Sequence, residues 1–447
     1  MNVIFFALVA VSFVVAGYRQ ILWQPGATDA APPMEALGTA MIDAAGGAVT
    51  LAIGLVGVMA LFIGLMKVAE AGGLLVIIAR VVRPLMQRLF PEVPVDHPAM
   101  GAMILNISAN ALGLANAATP FGIRAMQELD TLNRDKGTAT NAMALFLAIN
   151  TSSVTLLPTG VIALRAAAGS DDPAAIVPTT LFATICSTTI AIVMAKMLQR
   201  RSSGPAAARK EDTPAAAALA ETSGARTGDS TSAATSDSMA PDLGLSDSGY
   251  PLWVSVVVLG GLVALVPLTI VYGRGIAPWI IPGLMIGLLT FGMVRGVRVY
   301  ETLVDGAREG FQVAVRIIPY LVAILVAVAM FRASGALGVL VTPLGTLTGA
   351  VGLPAEALPM ALLRPLSGSG AYGVLASIIN DPTIGPDSYT GILVSTFQGS
   401  TETTFYVLAV YFGAVNIRRI RHTLIAALSA DAAGIAAAVF ICSLLYG

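Results

Sequence analysis

The chain has 447 residues, 56% hydrophobic and 11% charged, with a formal net charge of −1. Soluble domains carry roughly 25% charged residues, so much of this surface must face something other than water; the near-neutral total by itself says nothing about nucleic acid, and no nucleic-acid partner is expected. Residues 2–18, 44–66, 137–164, 173–195, 248–273 and 275–294 contain no Asp, Glu, Lys or Arg. A helix spans a bilayer with about 20 apolar residues, so the fold class is an all-α polytopic membrane protein.

The first apolar run, Val3 to Ala16, has no Lys or Arg before it. A secretory signal needs that charge, so the run reads as a retained first span, with a signal peptide as the alternative. A second span opens at Gly47 and ends in Ala71-Gly72-Gly73-Leu74. Residues 74–89 then set Arg80, Arg83 and Arg88 among Val, Ile and Leu, the pattern of a basic amphipathic helix on a membrane surface.

His97-Pro98 precedes a stretch that holds Asn106, Ser108, Asn110, Gly113, Asn116 and Thr119, followed by Pro120 and Gly122. It is uncharged yet too polar for a plain span. Irregular backbone at membrane depth survives only inside protein or beside a water-filled cavity, so this stretch is predicted to dip into the membrane as a re-entrant hairpin. Residues 137–164 form an apolar stretch broken midway by Asn150, Thr151, Ser152, Ser153 and Thr155, then by Pro158 and Gly160. A final span at 173–195 closes the first half.

Residues 199–249 are mostly Ala, Ser, Thr, Gly, Asp and Pro and cannot bury enough apolar surface to order themselves. They are read as a disordered cytoplasmic linker between a first membrane repeat at 1–198 and an added span at 250–273. The second repeat, 274–447, follows the order of the first. A span from Gly310 to Phe331 ends in Ser334-Gly335-Ala336-Leu337. Residues 337–351 stand where the basic surface helix stood, but they are apolar, so spanning and surface placement both stay open. Leu358-Pro359 precedes Ser367, Gly368, Ser369, Gly370 and Gly373, the expected second hairpin. Gln398 and then Ser400, Thr401, Glu402, Thr403 and Thr404 interrupt the next span.

Four crossings return the first half to its starting side, and the added span starts the second half from the other side. The repeats are therefore expected to be inverted, as in many secondary transporters. With the N-terminus and linker inside, Lys67, Arg80, Arg83, Arg88, Arg124, Arg134, Lys136, Lys196, Arg295, Arg298, Arg308, Arg418, Arg419 and Arg421 fall inside. Arg19, Arg165, Arg274, Arg332 and Arg364 fall outside or near it, as do the acidic loops with Asp171, Asp172, Asp381 and Asp387. That asymmetry obeys the positive-inside rule. It gives a multi-pass bacterial inner-membrane protein with nine spans, two re-entrant hairpins and the C-terminus outside.

An ionisable residue inside a span is costly and marks a pathway or substrate site by default. Glu402 is the sharpest case, and Arg364 before Pro365 is either its counter-ion or an interfacial anchor. Asp431 is expected in the bundle interior and His422 at the surface. Ser and Thr in spans often bond back to their own helix, which is the bland reading for each of the others. Cys186 and Cys442 make neither a disulfide framework nor a metal spacing, and His97 and His422 are far apart. With no nucleophile–base pair and no phosphate loop, no enzyme, cofactor or metal is expected.

Asn106-Ile-Ser-Ala-Asn-Ala-Leu-Gly-Leu-Ala-Asn-Ala-Ala-Thr-Pro-Phe-Gly122 resembles the signature of bacterial spore maturation protein A. Val299-Tyr-Glu-Thr-Leu-Val-Asp-Gly-Ala-Arg-Glu-Gly-Phe311, Arg364-Pro-Leu-Ser-Gly-Ser-Gly-Ala371 and Gly399-Ser-Thr-Glu-Thr-Thr-Phe-Tyr-Val-Leu-Ala-Val-Tyr-Phe-Gly413 resemble spore maturation protein B. The chain thus resembles a fusion of the two, within the nucleoside recognition, or gate domain, family. The resemblance implies a layout similar to that of concentrative nucleoside transporters, with two hairpin tips and two broken helices facing one midplane site. The cysteine motif of the family's ferrous iron transporters is absent.

The reading that follows is a secondary transporter of a small polar solute, nucleoside-like or carboxylate, coupled to Na+ or H+. Glu402 would be the coupling or substrate carboxylate. Asn106, Ser108, Asn110, Asn116, Asn150, Thr151, Ser152, Ser153, Thr155, Ser367, Ser369, Ser400, Thr401, Thr403 and Thr404 would bind polar atoms of the solute. The alternative is a non-transporting membrane scaffold in spore or envelope maturation. Association into a homo-oligomer stays open.

Overall fold

The computed structural model describes residues 2–24, 31–113, 115–152, 154–202, 250–336 and 348–447. Ser153, the side chain of Asn116, linker residues 203–249 and most of 337–351 lie outside the described residues. The first half comprises α1 (Asn2–Leu22), α2 (Pro33–Ala71), α3 (Leu74–Leu89), α4 (Pro98–Ala111), α5 (Ala115–Thr131), α6 (Asn141–Thr151), α7 (Thr159–Ala167) and α8 (Ile176–Ser202). The second comprises α9 (Leu252–Val294), α10 (Val299–Ala333), α11 (Leu358–Leu363), α12 (Gly368–Ile379), α13 (Tyr389–Ser400), α14 (Thr404–Gly413) and α15 (Thr423–Tyr446).

Local chemistry sets where several of these begin. Pro98 sits in the first turn of α4, where its missing N–H costs nothing, and the His97 Nδ1 accepts from the Ala99 amide at 3.2 Å. The hydroxyls of Thr140, Ser367 and Ser388 accept from amides in the first turns of α6, α12 and α13, each removing an unpaired helix-end donor. Among the described residues, helices at Phe5–Leu22, Pro33–Ala71, Pro173–Gln199 and Thr423–Tyr446 are long and apolar enough to cross a membrane. Phe6, Phe13, Ile21, Trp253, Trp279 and Met293 are exposed on α1 and α9, as a lipid-facing rim requires.

The added span expected at 250–273 and the charge-free run 275–294 fall in the single helical element α9. Its 43 residues would reach about 65 Å if straight. Yet the Tyr250 amide donates to Arg80 O, Ser255 donates to Val81 O, and Phe291 packs on Gly72. Both ends therefore return to the α2–α3 corner, so α9 folds back on itself between them.

Helices in corresponding positions of the two halves run antiparallel. On α2 and α10, Gly64 lies against Leu303 and Gly306, and Ala60 against Gly310. On α8 and α15, Ala175 just ahead of α8 accepts from the Tyr446 hydroxyl, Phe182 meets Phe440, and Ser187 donates to Ala430 O. One end of this bundle joins Lys67 to Glu309, Lys196 to Leu89 O, and the Arg418 and Arg419 amides to Gly137 O. The other end joins Arg165 to Asp387, Arg332 to Asp381, and Arg19 to Ser334 O.

Two large apolar cores fill the bundle, and each mixes the halves. In one, α4, α5 and α6 pack with Leu408, Tyr411 and Phe412 of α14. In the other, α12 and α13 pack with Val161, Ile162 and Leu164 of α7. His422 is buried, not on the surface as expected. It opens α15 where that helix meets the first core, and sequence position beside three arginines concealed this.

The α2–α10 contact is backbone on backbone, the close approach that small residues permit between membrane helices. A Cβ at Gly310 would stand 2.7 Å from Ala60 Cα and 2.8 Å from Met59 O. Gly57 on the same α2 faces open space. Gly310→Leu should lower stability by about 1–3 kcal/mol, the usual cost of overpacking, and Gly57→Leu should leave it unchanged. Thermal unfolding of the purified protein in detergent measures both.

Candidate functional site

Four interruptions of helix meet in the middle of the molecule. They separate α4 from α5, α6 from α7, α11 from α12, and α13 from α14. A freed amide in an apolar interior costs as much as a lost hydrogen bond, and here the interruptions pair with one another. The Leu156 amide donates to Ala111 O at 2.9 Å, joining the first broken helix to the first hairpin. The Phe405 amide donates to Pro365 O at 3.1 Å, joining the second pair in the same manner. The Glu402 amide donates to Thr151 O at 2.8 Å and locks one broken helix to the other. Gly113 has φ +74°, and a Cβ there would lie 2.7 Å from Leu157 O. Both facts demand glycine at the first tip.

The side chains singled out in the sequence divide into two sets. Asn110, Thr155, Glu402 and Thr403 line a cavity of about 180 Å³ at the meeting point. By the same measure about 10–15 Å³ holds a water, so this space admits a small solute. Asn110 donates to Asn150 Oδ1 at 2.9 Å, which ties the first hairpin to the end of α6.

Most of the remainder that the structure describes are fastened to the scaffold. Ser108, Asn150, Thr151, Ser152 and Ser400 donate to carbonyls of their own helices. Ser367 caps α12, Ser369 is exposed, and Thr401 is buried in extended backbone. Asn106 donates to Ala118 O at 2.7 Å and to the Tyr411 hydroxyl at 3.1 Å, closing the first hairpin and holding it to α14. Thr404 donates to Asp431 Oδ2 at 2.6 Å, so the buried acid of α15 grips the start of α14.

Tyr372 escaped the sequence reading, and Pro158, Gly160 and Gln398 were read only as interruptions; all four line the cavity beside Arg364. The Arg-Pro-Leu-Ser-Gly-Ser-Gly motif drew attention to Arg364, and the structure brings it to the break. Its Nη1 donates to Thr403 Oγ1 at 3.0 Å, and its Nη2 lies 4.0 Å from Glu402 Oε2. Arg364 is only 4% exposed, whereas the Glu402 side chain is 48% exposed toward open space. The Arg364 Nε and Gln398 Oε1 are buried without a partner. Among the described residues no group of three His, Cys, Asp or Glu gathers to hold a metal.

A family profile described as Gate, nucleoside recognition, matches residues 52–168 and 314–418. The chain is similar to spore maturation protein B of Bacillus subtilis (strain 168), at 46% identity over 167 residues covering 37% of this chain and 93% of that protein. It is similar to spore maturation protein A of the same organism, at 46% identity over 154 residues covering 34% of this chain and 79% of that protein. The two likenesses fall on different parts of the chain. No solved structure matches it.

The division into cavity and scaffold residues is testable by thiol chemistry, because a thiol reacts as the thiolate and needs access to water. In a Cys186→Ala, Cys442→Ala background, Thr155→Cys and Glu402→Cys should react with a small water-soluble methanethiosulfonate. They should do so at least about tenfold faster than Ser108→Cys and Ser400→Cys, by the dependence of thiol reactivity on exposure. Labelling rates read by mass spectrometry decide it.

Proposed function

Since the chain belongs to the Gate, or nucleoside recognition, family and unites the likenesses of spore maturation proteins A and B, we propose that it is a secondary transporter of a small polar solute. In this reading the two halves are inverted repeats, and the solute binds where their interruptions meet. The antiparallel pairing of α2 with α10 and of α8 with α15 supports the inversion. Alternating access in such folds moves one bundle against another around a fixed midplane site.

The observation that carries the reading is the cavity lined by residues of all four interruptions, with a half-exposed carboxylate among them. A scaffold that only anchors partners needs no such space, because unfilled volume at the centre of a bundle forfeits packing energy. Broken helices also turn their end charges toward the gap, amide donors at the starts of α7, α12 and α14 and carbonyls at the ends of α4, α6 and α13. Such ends suit a polar solute or a coupling cation. Glu402, half-exposed and fixed through its amide to Thr151 O, takes the role of substrate or coupling carboxylate.

The proposed orientation has the N-terminus and linker in the cytoplasm and the C-terminus outside, in a bacterial inner membrane. It rests on the excess of Lys and Arg at the end of the bundle that carries Lys67, Lys196, Arg418 and Arg419, since basic residues favour the cytoplasmic side.

Proteoliposomes with an imposed proton or sodium gradient should take up at least one member of a panel of labelled nucleosides, amino acids and carboxylates. Glu402→Ala should cut that uptake by about tenfold or more, the loss anticipated when a charge contact to the solute is removed. Equal uptake by the variant would remove Glu402 from the mechanism.

A further inference from the structure

The cavity holds a cation and an anion that face each other without closing. A charge-assisted Arg–carboxylate hydrogen bond is about 2.7–2.9 Å, but Arg364 Nη2 and Glu402 Oε2 are 4.0 Å apart. The Arg364 head group and the Glu402 main chain are each held from their own side. The Arg364 Nη1 is engaged by Thr403 Oγ1, and Glu402 is pinned by its amide to Thr151 O. A purely structural ion pair at membrane depth gains most by closing, since unpaired charge in a low-dielectric interior is heavily penalised.

What remains unsatisfied has a definite shape. The guanidinium presents five donors in a planar fork. With Nη1 occupied and Nε unpartnered, its free edge is the one formed by Nε and Nη2, which grips a carboxylate through two parallel bonds. Opposite it are two acceptors, the half-exposed Glu402 carboxylate and the buried, unpartnered Gln398 Oε1. The Arg364 donor edge and the acceptors of Glu402 and Gln398, all lining the one cavity, describe the complement of a molecule with both charges close together.

We propose that the solute is a small zwitterion of the α-amino-acid class, its carboxylate on the Nε–Nη2 edge of Arg364 and its ammonium between Glu402 and Gln398. A zwitterion leaves the site as neutral as it found it. A lone carboxylate adds a negative charge beside Glu402, and a lone amine adds a positive one beside Arg364. Either raises the desolvation cost that a buried, unbalanced charge incurs. The cavity of about 180 Å³ sets the size. This assignment rests on the cavity being the transport site.

The test uses the full chain in lipid nanodiscs, titrated calorimetrically with the twenty L-α-amino acids, uridine, adenosine, acetate and methylamine. At least one amino acid should bind. Its N-acetyl and its amide derivatives, each lacking one charge, should bind at least about tenfold more weakly, the loss typical when one partner of a buried charge pair is removed. Arg364→Lys, which keeps the charge but loses the fork, and Glu402→Gln should each weaken the amino acid comparably. Ser429→Ala, on the exposed face of α15, should not, and unliganded melting curves separate misfolding from lost contacts. Preference for a nucleoside or for acetate over every amino acid would overturn the zwitterion and leave transport standing. The zwitterion is overturned in the same way if the N-acetyl or amide derivative binds as tightly as its parent. Binding of nothing in the panel, together with no uptake of any of it into proteoliposomes, would overturn both.

Discussion

The structure depends on one constraint, that peptide groups away from water must find partners within the protein. A continuous helix meets it alone. A helix that breaks midway does not, and this chain breaks two helices and turns two hairpins at the same depth. The solution is mutual, with Leu156 on Ala111, Phe405 on Pro365, and Glu402 on Thr151. Remove any one interruption and the others are left with unpaired amides or carbonyls. The four segments are thus a single cooperative unit rather than four local irregularities.

That unit goes with cores that each draw on both halves of the chain. The first hairpin is closed by Asn106 onto Tyr411, 305 residues away. Arg165 at the end of α7, fully buried, bonds to Asp387 at 2.8 Å and to Pro386 O at 2.5 Å ahead of α13. The Arg165 guanidinium lies out of water and would be costly to leave without partners, so this link holds one end of the bundle firmly. At the centre, Thr404 on Asp431 fixes the half-helix that follows Glu402. The cavity is the space left between two cores that are each stitched from both halves, and the proposed pathway runs through that seam.

The interruptions were legible in the sequence because they violate a simple expectation, polar and glycine-rich runs inside apolar stretches. The breaks after Thr151 and after Ser400 lie where Asn150 to Thr155 and Ser400 to Thr404 suggested. Which polar side chains face the cavity was not legible. Ser108 and Ser400 look the same as Thr403 on paper, and only the rotation of each helix end separates a hydroxyl bonded to its own helix from one that reaches the cavity. Arg364 was visible as a charge with two readings, and its approach to Glu402 depends on how α11 ends against the break. Asn106–Tyr411 and Arg165–Asp387 were invisible for a different reason. Each joins residues more than two hundred positions apart, and single-chain patterning carries no information about such pairs. The doubling back of α9 shows the reverse. Charge-free runs separated by Arg274 suggested two crossings, and although the helical hydrogen bonding runs on from Leu252 to Val294, both ends return to one corner.

The two broken helices, one from each half, meet break to break, and the proposed pathway stands or falls with that meeting. A Cβ at Gly399 would stand 3.2 Å from Pro158 Cβ, close to the roughly 3.5–4.5 Å that a disulfide spans. In membranes containing a Cys186→Ala, Cys442→Ala protein cleaved within the 203–249 linker, Pro158→Cys with Gly399→Cys should form an oxidant-dependent bond that holds the two fragments together on a denaturing gel. Fragments that separate under oxidation, in a protein that remains folded by its melting curve, would contradict the account.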